Sequence, residues 1–217
     1  MKTVMKPLAI LSLLTLFSCQ EQLLEPVINS DPVTTETQLI IDTSISLSAA
    51  EIESLLFMRE EEKLARDVYL TYYQWYQSKQ FGNIADSEQK HTDAVARLLA
   101  AFEIPDPVVS DEIGVFENSF LETLYLELTE KGQESQIEAL KMGALIEEID
   151  IQDLRLAADT LTHSSVLEVY DNLEKGSRNH LRAYYSSLKK QGIIYEPVVL
   201  DLELFNSIIS SEMESGN

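Results

Sequence analysis

Four long stretches of this sequence repeat apolar residues at the spacing of an α-helix, and this pattern constrains the fold more than any other feature. They cover approximately residues 48–79, 83–102, 135–158 and 165–190. In three of them a serine is followed three residues later by glutamate, the capping-box signature of a helix N-terminus. These pairs are Ser48 with Glu51, Ser135 with Glu138, and Ser165 with Glu168. The sequence therefore predicts an all-α protein.

The connections between these helices are unequal in length. The first and third are short, near Gly82 and Thr162, whereas the second is long and contains a short capped helix predicted at 119–131. A bundle with one crossover requires this order, because the crossover must run the length of the bundle. We therefore predict a four-helix bundle with one long crossover between the second and third long helices. A short C-terminal helix is predicted after residue 200.

Polar side chains that can bind metals lie on the apolar stripe of each long helix. Glu88 and His91 lie on the stripe of the second helix, between Ile84 and Val95. The other helices contribute Glu62, as the inward member of the run 60–62, then Glu147 with Asp150 beside it, and His180. Every long helix thus places a candidate ligand near its middle.

Burial of these acids restricts what the core can contain. An ionised carboxylate without a partner costs several kcal/mol in a core, so it must be protonated, paired with a cation, or bound to a metal. Glu62, Glu88, Glu147 and Asp150 carry four negative charges, which two divalent ions would neutralise. His91 and His180 add neutral nitrogen donors. Such ligands favour two iron ions, with manganese and zinc as alternatives.

Other interpretations of the same residues stay open at this stage. Glu62 can instead pair with Arg66 on the surface, one turn later, and a Glu-x-x-His pair also arises by chance in acidic helices. Glu148 is interpreted as a solvated neighbour and His163 as a surface or capping residue. The aromatic run at 69–77 favours core packing or an oligomer surface. From the inward stripes, Tyr69 and Tyr184 are candidates to contact the ligands.

The arrangement resembles the carboxylate-bridged di-iron pattern of the ferritin-like superfamily, which includes rubrerythrins and ferritins. The resemblance rests on Glu62, on Glu88 and His91 at the Glu-x-x-His spacing, on the long crossover, and on Glu147 with a histidine in the fourth helix. Tyr69, seven residues after Glu62, also resembles that superfamily's first helix. The resemblance implies a ferritin-like four-helix bundle with a non-haem di-iron centre.

Four segments, in order, more closely resemble a ferritin-like family known as domain of unknown function 2202. They are MREEEKLARDVY, NIADSEQKHTDAV, ALKMGALIEEIDIQDL and GSRNHLRAYY. This resemblance covers approximately residues 48–197 and implies the fold and metal binding, but it supplies no substrate.

One position departs from the superfamily pattern. A glutamate would be expected three residues before the histidine of the fourth helix, where this chain has Ser177. Serine is a poor metal ligand, so the resemblance leaves the second metal position weaker, open to water, or vacant. Asp150, three residues after Glu147, is a candidate to supply the missing carboxylate, as a second glutamate does in rubrerythrin-like sites.

The N-terminus resembles a bacterial lipoprotein signal. Two lysines precede a short apolar run that ends at Phe17, Ser18 and Cys19, and the run is too short to span a membrane. We expect a signal peptide at 1–18, lipidation of Cys19, a flexible tether at 19–47, and the bundle domain at 48–217. The chain would then be an exported lipoprotein of the cell envelope, anchored to a membrane through Cys19.

Charge and cysteine content exclude some classes of partner. The formal net charge of -21 opposes binding to nucleic acid and favours cations. Cys19 is the single cysteine, so the domain has neither a disulfide nor a thiolate metal site. Three hypotheses remain, of which the weakest is a small-molecule pocket between the helices. The first is a di-metal oxidoreductase that oxidises ferrous iron or reduces oxygen or peroxide. The second is a non-enzymatic envelope module with one structural metal or none.

Overall fold

The computed structural model describes residues 41–215, and over that range the chain forms six helices and no strand. The helices are α1 (Ala49–Tyr76), α2 (Lys79–Ala101), α3 (Ser119–Gln133), α4 (Gln136–Ala158), α5 (Ser164–Lys190) and α6 (Leu202–Ser210). The all-α prediction is confirmed. The predicted signal peptide, Cys19 and most of the predicted tether lie outside the described residues.

The helix ends show where local sequence signals succeed and fail. Ser48 and Glu51 form the predicted capping box, and the Ser135 side chain accepts a hydrogen bond from the backbone of Glu138. The predicted cap at Ser165 is wrong, because α5 already begins at Ser164. The Ser165 hydroxyl instead accepts the backbone N–H of Asp42 at 3.1 Å. Residues at the end of the predicted tether therefore contact the bundle.

The connection between α1 and α2 is tighter than the sequence predicts. Helix α1 ends at Tyr76, and Gln77 adopts a left-handed conformation with φ of 51°. Helix α2 begins at Lys79 instead of residue 83, and it includes Gly82 in its first turn. Because glycine usually weakens a helix interior, the sequence predicts that this helix starts after Gly82.

Helices α1, α2, α4 and α5 pack on one another in the pairs α1–α2, α4–α5, α1–α4 and α2–α5. Helix α3 lies on α1 and α4, and α6 lies on α5. The result is an all-helical bundle. Its apolar core falls into two clusters, one around Tyr69 and Tyr184 and one around Leu55 and Leu98. The predicted metal ligands on the stripes of the long helices also point into the bundle.

The segment that joins α2 to α3 is fixed to α1 by buried charged residues. Lys63 donates to the backbone carbonyls of Glu112 and Val115 at 2.9 and 3.1 Å, and it pairs with Asp67 at 2.6 Å. Glu60 accepts the backbone N–H groups of residues 117 and 118. Side chains of α1 thus hold the crossover in place. The helical periodicity of the sequence does not predict these contacts.

Glu148 differs from its prediction as a solvated residue. It is fully buried, and it accepts a hydrogen bond from the Tyr195 hydroxyl at 2.6 Å. It also accepts backbone N–H groups from residues 198, 199 and 200 at 2.9–3.0 Å. These donors come from the segment before α6, which lies about 50 residues away in sequence, so the helical pattern gave no signal of them.

No helix within residues 41–215 combines the length and apolar character needed to cross a membrane.

Candidate metal centre

Five of the six predicted metal ligands come together in the middle of the bundle. Two groups of donor atoms each lie within 4.8 Å of one another: Glu62, Glu88 and His91 form the first, and Glu88, Glu147 and His180 form the second. Glu88 belongs to both groups. A carboxylate has two oxygens, so one side chain can serve two adjacent cations.

The distances show that Glu88 uses its two oxygens separately. Its Oε2 lies 2.7 Å from His91 Nδ1, and its Oε1 lies 2.7 Å from His180 Nδ1. Glu62 Oε2 lies 3.3 Å from His91 Nδ1, and Glu147 Oε2 lies 3.5 Å from His180 Nδ1. The two imidazole rings are stacked with their centroids 5.6 Å apart. The cluster therefore has two halves related through Glu88.

Helix geometry explains why these residues converge. Residues three apart on a helix share a face, which places Glu88 and His91 side by side on α2. Glu62, Glu147 and His180 each occupy the inward stripe of α1, α4 and α5. Because these four helices pack pairwise, the stripes meet at one level of the bundle.

Several atoms of the cluster lack hydrogen-bond partners. Glu62 Oε1, Glu88 Oε1 and His180 Nδ1 are buried and unpartnered. The short contact between Glu88 Oε1 and His180 Nδ1 therefore lacks hydrogen-bond geometry. Glu62 Oε2 and His91 Nδ1 do form a hydrogen bond, at 3.3 Å. Metal ligands commonly lie about 2.0–2.2 Å from the ion, so the unpartnered atoms of the cluster fit a shared cation. The residues present fit a metal site on this observation.

Electrostatics show the cost of leaving the cluster without a cation. Burial raises the pKa of Glu147 to about 7, and burial likewise raises the pKa of Glu62. Burial also opposes ionisation of Glu88, but His180 and His91 outweigh it and lower the Glu88 pKa. Burial lowers the pKa of His180, yet Glu88 and Glu147 raise it overall to about 10. Metal-free, the cluster therefore retains protons that a cation would displace.

Asp150, the sixth candidate, lies next to the cluster without joining either donor group. The Ser177 hydroxyl donates a short hydrogen bond to Asp150 Oδ2, whereas Asp150 Oδ1 is buried without a partner. Both residues are buried. Ser177 thus holds one oxygen of the neighbouring carboxylate and leaves the other without a partner.

The two tyrosines predicted beside the ligands differ in their contacts. The Tyr69 hydroxyl donates to Glu147 Oε1 at 2.5 Å and lies 3.2 Å from the carbonyl of Gly143. The Tyr184 hydroxyl is buried without a partner, and its ring centroid lies 5.5 Å from that of Tyr69. Tyr69 therefore contacts a candidate ligand directly, and Tyr184 packs against Tyr69.

The run of three glutamates at 60–62 is more deeply buried than the sequence predicts. All three side chains are buried, whereas only Glu62 was predicted to point inward. Glu61 faces α4, where burial and the nearby Asp150 and Asp153 raise its pKa. Arg66 does not pair with Glu62, because its guanidinium contacts Asp67 and Asp111. The surface interpretation of Glu62 is therefore wrong.

Gly176, which lies beside the cluster, and His163, at the start of α5, differ from what the sequence predicts. A Cβ atom at Gly176 would lie 2.4 Å from His91 Cε1, so the absence of a side chain makes room for the imidazole. His163 is buried against Phe102, not on the surface, although it occupies the N-cap position of α5 by backbone. The role of Gly176 has no signal in the sequence, because it depends on the side chain that faces this glycine in the fold.

The fold and the cluster define an all-helical bundle protein with a buried carboxylate–histidine site. Residues 51–212 match the family described as "Uncharacterized protein domain (DUF2202)". The chain belongs to this family, as its sequence segments predict.

A relative from Methanocaldococcus jannaschii, uncharacterized protein MJ0754, is 50% identical over 170 residues, which span 78% of this chain and 92% of the relative. The crystal structure of hypothetical protein MJ0754 superimposes with a TM-score of 0.79 at 48% identity. That match covers 81% of this chain and all of the solved one. The likeness therefore extends across the described bundle.

Proposed function

We propose that this chain is a ferritin-like protein whose bundle holds a non-haem di-metal centre. The observation that carries the proposal is the position of Glu88, whose two oxygens each lie 2.7 Å from a different histidine. Iron is the metal that we favour, with manganese and zinc as alternatives, because carboxylate and imidazole donors without thiolate suit these ions. The pairwise packing of α1, α2, α4 and α5 supports a four-helix bundle with one long crossover.

The proposal assigns a role to each ligand. Glu88 would bridge the two ions, while Glu62 with His91 and Glu147 with His180 would complete the two halves. Metal binding needs neutral imidazole and ionised carboxylate. Asp150, through its unpartnered Oδ1, is the candidate for a further carboxylate contact. Together these four acids balance the charge of two divalent cations.

The chemistry follows from the donor set. Two iron ions held there would supply two electrons on going from Fe²⁺ to Fe³⁺, which would balance the reduction of one peroxide and two protons to two waters. The chain's own contribution is to exclude water from the ligands and to hold Glu147 through the Tyr69 hydroxyl. Oxygen, peroxide and ferrous iron are the substrates that we propose.

Metal analysis tests the proposal directly. The purified protein should bind about two ions per chain, and ferrous iron added in air or with peroxide should develop the absorbance of oxidised iron. Glu88→Ala and His91→Ala should each lower the metal content. Less than one ion per chain, unchanged by both substitutions, would rule out the di-metal centre.

A second candidate function is favoured by Ser177. Where the superfamily pattern has a carboxylate, this chain has a serine that is bound to Asp150. The half containing His180 therefore has one carboxylate fewer than that pattern would supply. A protein with a single structural metal would then fit. A chelator would lower the melting temperature of such a protein, while no oxidation of ferrous iron would be measured.

We also propose that the chain is exported and anchored to a membrane through lipidated Cys19, with self-association into a homo-oligomer. The apolar run before Cys19 and the aromatic run at 69–77 support these two points. Cys19→Ser should move the protein from the membrane fraction to the soluble fraction. Equal membrane association of both forms would contradict the anchor, and a monomeric mass in solution would contradict the oligomer.

A further inference from the structure

Acidic side chains lead outward from the candidate centre along one face of α4. Glu147, Asp150 and Asp153 follow each other at three-residue spacing, which corresponds to steps of about 4.5 Å along a helix. Glu147 is 2% exposed and Asp150 5%, whereas Asp153 is partly exposed. Exposure thus increases along the series from the centre towards solvent.

Glu61 of α1 joins this series from the facing helix. It is 5% exposed, and together with Asp150 it lines a small cavity of about 10 Å³, close to the space that one water molecule needs. The other walls are apolar, formed by Leu64, Ala65, Leu124, Ile146 and Ile149. The cavity therefore places two carboxyl groups in an otherwise apolar layer of the bundle.

Each acid of the cavity keeps one oxygen that no hydrogen bond reaches. Glu61 Oε2 and Asp150 Oδ1 are both buried without a hydrogen-bond partner. Basic side chains on the same helices are engaged elsewhere: Lys63 with Asp67, and Arg155 with Glu174. Two buried carboxyl groups without a basic partner offer oxygen ligands to a small cation in a medium that screens its charge little.

We propose that Asp153, Glu61 and Asp150 form the route by which a divalent cation enters the centre from the face between α1 and α4. This inference rests on the proposed function. The three acids do not form one of the two tight donor groups, so they suit a cation in transit and not one held in place. From Asp150 the centre is one helical turn away, at Glu147.

The rate of metal loading tests the route separately from the final metal content. Cobalt(II) alone is a suitable probe, because its absorbance reports coordination without a redox reaction. The chain would be mixed with cobalt in a stopped-flow instrument, and the fast rise of the signal would be followed. Glu61→Gln should slow loading by about tenfold and Asp153→Asn by about threefold, with the final cobalt content unchanged in both.

Glu127→Gln is the matched control, since it removes one acid from the exposed face of α3 and changes net charge equally. Loading of Glu61→Gln and Asp153→Asn at the rate of this control would overturn the route and leave the centre in place. Loss of cobalt content in Glu61→Gln would also overturn it, because Glu61 would then be a ligand. If the unsubstituted chain binds no cobalt, the centre itself fails first. Asp153→Asn keeps the test valid if Glu61→Gln does not fold.

Discussion

Glu88 Oε1 lies 2.7 Å from His180 Nδ1, yet neither atom has a hydrogen-bond partner. The two residues belong to different helices, and the distance is as short as that of a charge-assisted hydrogen bond. Atoms that approach without pointing at each other are what a common third partner requires. The predictions below start from this relationship.

Glu88→Gln should uncouple the two halves of the centre. The amide keeps the shape of the side chain but offers one oxygen in place of two. We expect the metal content to fall from about two ions per chain to less than one, while the metal-free protein becomes less stable because His91 and His180 lose the carboxylate that pairs with them. Metal analysis and thermal unfolding in chelator measure these two effects. Glu127→Gln is the control, and an unchanged metal content in Glu88→Gln would contradict the bridging role.

Gly176→Ala should displace His91 without unfolding the protein. The added Cβ would approach His91 Cε1 to 2.4 Å, so the imidazole must move. Alanine favours the helix by about 1 kcal/mol over glycine, whereas metal affinity should fall by about 10- to 100-fold. Isothermal titration with manganese measures the affinity.

A matched control for that substitution is Gly82→Ala. Its Cβ would meet the exposed ring of Tyr73 at 3.3 Å, and its three nearest atoms all belong to that ring, not to a candidate ligand. The control should leave manganese affinity unchanged. Equal affinities for the two alanine variants would show that Gly176 does not set the position of His91.

Tyr69→Phe should make metal binding depend on higher pH. The Tyr69 hydroxyl donates to Glu147 Oε1 and thereby lowers the Glu147 pKa, against the larger effect of burial. Removing it should raise that pKa, so a higher pH is needed to ionise the carboxylate for metal. The pH at half-maximal manganese binding measures the change.

Tyr72→Phe separates this effect from a general loss of stability. The Tyr72 hydroxyl donates to the Leu128 carbonyl at 2.7 Å and is equally buried. Both variants should lose about 1 kcal/mol of unfolding free energy, but only Tyr69→Phe should shift the pH of metal binding. A shift of the same size in Tyr72→Phe would remove the special role of Tyr69.

Without metal, the protein should become less stable as pH rises. Burial raises the pKa of Glu147 to about 7 from an ordinary value of 4.5. The carboxylates of Glu88 and Glu147 outweigh burial and raise the pKa of His180 to about 10 from 6.5. The folded state then binds more protons than the unfolded state, so stability is lost as pH rises from about 4.5 through about 7, and again up to about 10.

Bound metal should reverse this dependence, since it displaces the same protons. Melting temperatures in chelator and in excess manganese, at about pH 6 and about pH 8, would show opposite slopes. Glu147→Gln should remove the lower part of the decline in chelator. A metal-free protein whose stability rises over this range would contradict the assignment.

Local sequence periodicity was sufficient for the parts of the structure that depend on one helix at a time. It placed the four long helices and the inward direction of Glu62, Glu88 and His180, because each follows from a repeat along its own helix. It failed for Glu61, whose burial depends on α4, and for the start of α2, where a two-residue turn overrides the weakness of Gly82. The role of Gly176 required the imidazole opposite.

Glu147 and Glu148 are consecutive buried acids that the protein treats in opposite ways. Glu148 is supplied with four donors by the segment at 195–200, whereas Glu147 receives a tyrosine hydroxyl and otherwise faces the other candidate ligands. The segment at 195–200 therefore satisfies the Glu148 carboxylate with hydrogen bonds, while the Glu147 carboxylate is left available for an ion. In a chain that ends before residue 195, Glu148 would lose these donors and could compete with Glu147 for a cation. The C-terminal segment therefore helps to determine which carboxylate binds the ion.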